Sequence, residues 1–125
     1  MVKFLSGVYK SFHHAGVGIL FVLRGRNFRI QLGIAMIVFL MGLYLNLNAS
    51  EWLVISLTIF MVLSIEALNT AVEEVCNLIK DLDGVPSMAT RAPRDIAAGS
   101  ALLASIGAMI VGLLIFLPKI VGIFL

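Results

Sequence analysis

The sequence predicts an all-α integral membrane fold, with an N-terminal amphipathic surface helix followed by three transmembrane helices. Composition is the first observation behind this. Of 125 residues, 61% are hydrophobic and 13% charged. An average soluble domain has roughly 45–50% and roughly 25%, so the chain carries more apolar surface than one small core can remove from water. Second, the apolar residues gather in three stretches, Ile30 to Leu47, Trp52 to about Val72, and Ile96 to about Leu117. Each approaches or exceeds the roughly 20 helical residues that cross a hydrocarbon core of about 30 Å. Third, a lipid-embedded stretch must satisfy every backbone donor internally, which selects the helix. The length leaves room for a single membrane domain, residues 1–125.

The first element is expected from about Phe4 to Leu23. Lys3, Lys10, His13 and His14 mark a polar side among Phe4, Leu5, Val8, Phe12, Ile19 and Phe21, the mixture of a helix lying in the membrane interface. His13 and His14 are adjacent, so on a helix they point about 100° apart and cannot chelate one metal together; they read as interfacial residues. Ala15 to Leu23 runs into Arg24-Gly25-Arg26 rather than a small-residue cleavage site, so the N-terminus is expected to be retained.

The first interhelical loop, Asn46 to Glu51, carries no Lys or Arg, whereas the second, Asn77 to Asp95, holds Lys80, Arg91 and Arg94. The positive-inside rule then puts the N-terminus and second loop in the cytoplasm. Within that loop, Asp83-Gly84, Pro86 and Pro93 are expected to break helical continuity. The first fifty residues carry +5 and the remainder −3. A basic cluster beside apolar helices fits anionic lipid headgroups and gives no reason to expect nucleic acid. In the last helix Ser100, Ala104, Ala108 and Gly112 recur every four residues, a stripe that lets membrane helices approach closely or that reflects the general abundance of small residues there. The lone Cys76 excludes an intramolecular disulfide and has no partners at zinc-ligand spacing.

Chemistry concentrates at the end of the second span. At about 100° per residue, Glu66, Asn69, Glu73 and Asn77 share one helical face with Thr70 beside them. A carboxylate near the bilayer centre costs roughly 2.5–3.5 kcal/mol even on the lenient insertion scale, so such residues face a bundle interior or a watery site. Measured from Trp52, Glu66 lies about 21 Å along the helix and Glu73 about 32 Å. The first would sit below the headgroups and the second at the water interface. One could meet a lipid hydroxyl and the other a divalent cation carrying a phosphate donor, an arrangement suited to phosphoryl transfer. The alternative is a stripe of interhelical hydrogen bonds. No P-loop, Gly-x-Gly-x2-Gly pattern or nucleophilic triad is present.

The chain resembles the small prokaryotic membrane lipid kinases, the diacylglycerol and undecaprenol kinases. The resemblance runs from Lys10-Ser11-Phe12-His13-His14-Ala15-Gly16 through Arg26-Asn27-Phe28-Arg29, Glu66-Ala67-Leu68-Asn69-Thr70-Ala71-Val72-Glu73 and Arg94-Asp95-Ile96-Ala97-Ala98-Gly99 to Phe116-Leu117-Pro118-Lys119. The Asn-Thr pair and the Phe-Leu-Pro-Lys ending are more similar to the undecaprenol kinase branch. The resemblance implies a homotrimer in the bacterial inner or plasma membrane, with active sites shared between subunits. It further implies ATP as phosphate donor and Mg2+ as cofactor. By position it makes Glu66 the general base on the lipid hydroxyl, Glu73 the metal ligand, and His14, Glu73, Arg94 and Asp95 the ATP contacts. Asn69, Asn27, Phe28 and Arg29 then orient the substrate. Gly25 stands where the family places a second metal-binding glutamate, Asn77 where it commonly has Asp, and Arg94 where it has Lys. Two functions follow: phosphorylation of a membrane lipid, undecaprenol or diacylglycerol, or an impaired relative that binds lipid or a partner protein.

Overall fold

The computed structural model describes residues 1–125. Its elements are α1 (Val2–Val22), α2 (Arg26–Tyr44), α3 (Ala49–Lys80), a short 3-10 turn (Ser87–Thr90) and α4 (Arg91–Phe124), with no strand. The fold class is the expected one: α2, α3 and α4 are each long and apolar enough to cross a membrane. With three spans the molecule has two ends. The α2–α3 hairpin makes one; α1, the start of α2 and the α3–α4 connection with its flanking turns make the other, and together they hold eight of the nine lysines and arginines.

None of the residues of α1 is buried, and Phe4, Phe12 and Leu20 stand open. Its contact with the rest of the chain is chiefly with α3. Apolar side chains left open in this way are solvated by lipid or by another chain. The helix stops where Leu23 donates back to the carbonyl of Ile19, and Gly25 adopts an extended conformation as the N-cap of α2.

The hairpin end is the most tightly built part. Asn46 has a left-handed φ of 52°, a conformation Asn tolerates better than other side-chain-bearing residues. This lets Leu47 donate to the Gly42 carbonyl and Asn46 to that of Leu43, the paired bonds of a Schellman ending. Asn48 immediately caps α3: its side chain accepts from the Glu51 N–H, and the Glu51 carboxylate accepts from the Asn48 N–H, both at 2.9 Å. The predicted loop is therefore shorter than Asn46–Glu51, because Ala49, Ser50 and Glu51 already belong to the helix. Glu51 also meets Lys119 of α4 at 3.1 Å. Leu47, Ile55 and Phe116 form the buried apolar cluster beneath.

The second predicted loop is corrected more substantially. Asn77 to Lys80 contain no helix breaker, so α3 continues to Lys80 and ends only before Gly84, which has a φ of 78°. At about 1.5 Å per residue, the 32 residues of α3 span about 48 Å. This exceeds the hydrocarbon thickness of about 30 Å, so its last turns project beyond the lipid core. Pro93 does not break α4; it sits in the first turn, where a backbone N–H would have no intrahelical acceptor. Pro118 lies inside α4. The closest packing is α3 on α4, with Ala104 buried; Ser100 of the predicted stripe is exposed and donates to the Ile96 carbonyl.

Candidate active site

The acidic stripe of α3 divides as depth requires. Glu66 and Asn69 are buried, with 6% and 8% of their surface exposed, while Glu73 and Asn77, toward the basic end, are open. Helical spacing puts Glu73 about 10 Å beyond Glu66 along the axis. Glu66 takes part in neither ion pair of the chain, which are Arg91–Asp95 and Lys119–Glu51. The buried amide oxygen of Asn69 has no hydrogen-bond partner. Thr70 is occupied locally, donating to the Glu66 carbonyl at 3.1 Å. A buried carboxylate and an unpaired amide one turn apart leave acceptor capacity that the chain itself does not fill, and such groups normally find a donor.

Two contacts fix the basic end of α4 against α3. The thiol of Cys76 reaches the Thr90 carbonyl at 3.7 Å, with both residues buried. Arg94 donates to the side-chain oxygen of Asn77 at 3.1 Å. Asp95 instead faces Arg91 at 3.8 Å; with both side chains 70% exposed, that pair adds little.

The remaining sequence-predicted residues are distributed around this end. His14 is exposed on α1, and its ring meets that of His13 edge-on with centroids 5.9 Å apart. Phe28 is buried near the start of α2, whereas Asn27 and Arg29 on either side are exposed.

A crevice of about 570 Å³ lies between α2, α3 and α4, walled by Val38, Ile59, Val62 and Phe116 among others. Gln31 and Ser105 also line it, and the Gln31 amide donates to the Ser105 hydroxyl at 3.2 Å, bridging α2 to α4. Sequence reasoning missed this bridge, and Gln31 carried the signal as a lone amide at the start of an apolar stretch. It missed the Cys76–Thr90 contact as well, for which no sequence signal exists.

No three His, Cys, Asp or Glu side chains converge on one point. A closed protein cage for a cation is therefore not built within one chain. Magnesium, however, is commonly held by one or two carboxylates plus substrate phosphates and water. Exposed Glu73, with Glu74 beside it, fits that donor set for an ion arriving with a phosphate ligand.

The pattern of the prokaryotic diacylglycerol kinase family matches residues 13–116. An undecaprenol kinase of Bacillus subtilis is 39% identical over 117 residues, which cover 93% of each chain. A diacylglycerol kinase of Synechocystis is 36% identical over 113 residues, 90% of this chain and 63% of that protein. No solved structure matches the chain. A multi-pass membrane protein with its carboxylates aligned on one helix, this chain belongs to the prokaryotic diacylglycerol kinase family.

Proposed function

We propose that the protein transfers the terminal phosphoryl group of ATP to the hydroxyl of a membrane lipid at the cytoplasmic face, with undecaprenol favoured over diacylglycerol. The observation that carries this reading is the pairing of buried Glu66 with unpartnered Asn69, two turns short of an exposed carboxylate on the same helical face. A lipid alcohol reaches the buried pair from the bilayer, while a nucleotide reaches Glu73 from water. The preference for the prenyl substrate rests on the fuller coverage of the undecaprenol kinase relative.

In the reaction, the Glu66 carboxylate accepts the hydroxyl proton as the lipid oxygen bonds to the γ-phosphorus. The bond from that phosphorus to the bridging oxygen breaks, ADP departs with the electron pair, and Glu66 later yields its proton to water. Asn69 holds the alcohol against the base. Glu73 holds the magnesium ion, which when bound neutralises phosphate charge. Arg94 engages the triphosphate, with His14 and Asp95 completing the nucleotide contacts, and Asn27, Phe28 and Arg29 line the lipid's approach at the start of α2. Transfer of this kind depends on positioning and charge stabilisation more than on covalent chemistry by the protein.

The cytoplasmic placement rests on the basic residues gathered at one end, in the inner or plasma membrane of a bacterium. A homotrimer accounts for the large share of apolar side chains open on a single chain and supplies, between subunits, the further donors that one copy lacks. The test is magnesium-dependent transfer of labelled γ-phosphate to undecaprenol and to diacylglycerol in parallel. Labelling of undecaprenol in preference is expected. Labelling of neither lipid overturns the kinase reading and leaves a family member that binds lipid or a partner.

A further inference from the structure

Outside the ion pairs, the hydrogen bond from Arg94 to Asn77 is one of two that join side chain to side chain in the chain, and it ties the first turn of α4 to the last turns of α3. Arg94 stands at a helix N-terminus, where the backbone dipole disfavours a cation, so its placement does nothing for the stability of α4. Carboxylates are near in sequence, yet none pairs with it: Asp95 faces Arg91, and Glu73 and Glu74 form no ion pair. Its partner is a neutral amide. An amide oxygen fixes the direction of a guanidinium without cancelling its charge, and most of the five guanidinium N–H donors remain for another acceptor. Asn77 lies one helical turn, about 6 Å, beyond Glu73 on the same face. The amide therefore holds the guanidinium about one helical turn beyond the carboxylate proposed to meet the nucleotide's cation.

We infer that Asn77 is a positioning residue, aiming the undiminished positive charge of Arg94 at the phosphates of ATP; the inference rests on the kinase reading. It acts through Arg94 and touches no reacting atom. Asn77 is exposed, so its substitution removes this one side-chain contact and leaves the buried contact of Cys76 with Thr90 to hold α4 on α3.

The experiment measures equilibrium ATP binding and steady-state KM for ATP and for lipid, using the full chain in nanodiscs. Asn77→Ala should weaken ATP binding and raise KM for ATP about 3–10-fold, the range of a typical net hydrogen bond, with KM for lipid unchanged. In an Arg94→Ala background, the same substitution should change ATP binding no further. Asn77→Asp, which retains an acceptor but adds a negative charge, should also weaken ATP binding, by a factor that shrinks as salt rises. Unchanged ATP affinity in Asn77→Ala, or an equal loss in the Arg94→Ala background, overturns the inference. A wild-type protein that binds ATP yet phosphorylates no lipid overturns the kinase reading alone. One that binds no ATP overturns both.

Discussion

Glu66 and Asn69 lie one helical turn apart on α3, both buried, and the amide oxygen of Asn69 is left without a hydrogen-bond partner. An unsatisfied buried oxygen costs about 1–3 kcal/mol. The hydroxyl of the proposed lipid substrate would offset this cost by donating to that oxygen.

Replacing Asn69 by leucine, which has the same branching and number of side-chain heavy atoms, removes that cost together with the proposed ligand contact. The Asn69→Leu protein should unfold at equal or higher temperature than wild type in the same detergent, while lipid phosphorylation falls at least tenfold. A variant that loses stability and activity together would show that Asn69 is a structural hydrogen-bonding residue instead.

Glu73 is exposed and outside the buried pair, so its role separates from that of Glu66. Glu73→Gln should raise the magnesium concentration for half-maximal activity by about tenfold or more, with KM for the lipid unchanged; groups that merely orient a metal ligand are typically worth about 10–100-fold, and a direct ligand should be worth at least as much. A magnesium titration superimposable on wild type would remove Glu73 from the metal site.

At the opposite end, Gly42 admits no side chain. A Cβ there would fall 2.7 Å from the Trp52 ring and 3.0 Å from Leu47, and the ring is also held by Phe39, at 5.4 Å between centroids. Gly42→Ala should destabilise the protein by about 1–3 kcal/mol through overpacking, despite the better helix propensity of alanine. Adding Trp52→Leu should recover part of the loss, read by thermal unfolding.

Much of this was legible in the sequence for a definite reason. Glu66, Asn69, Glu73 and Asn77 recur at helical spacing within an apolar run, so a periodicity argument placed them on one face, and the burial of the first two follows from depth. Helix ends outside the lipid were less legible. The apolar signal fades once a helix enters water, so α3 seemed to stop near Val72 although nothing breaks it before Gly84, and Pro93 resembled a breaker although a first turn accommodates it. The capping box of Asn48 with Glu51 was readable locally but went unread. The bridge from Gln31 to Ser105 joins residues 74 positions apart; no local pattern can announce such a contact.

The proposed sidedness rests on charge. With Cys76 replaced by serine, an Arg91→Cys protein should react with a membrane-impermeant maleimide in inside-out vesicles and resist it in right-side-out ones. The reverse pattern would place the basic end outside and separate the site from cytoplasmic ATP.

The central claim is that Glu66 removes the proton from the lipid alcohol, and single-turnover phosphorylation by purified Glu66→Gln tests it most directly. The account predicts a rate lower by about 10²–10⁴-fold, the usual contribution of general base catalysis, with helical content and lipid binding at wild-type levels. A Glu66→Gln protein that phosphorylates undecaprenol or diacylglycerol at the wild-type rate would contradict it.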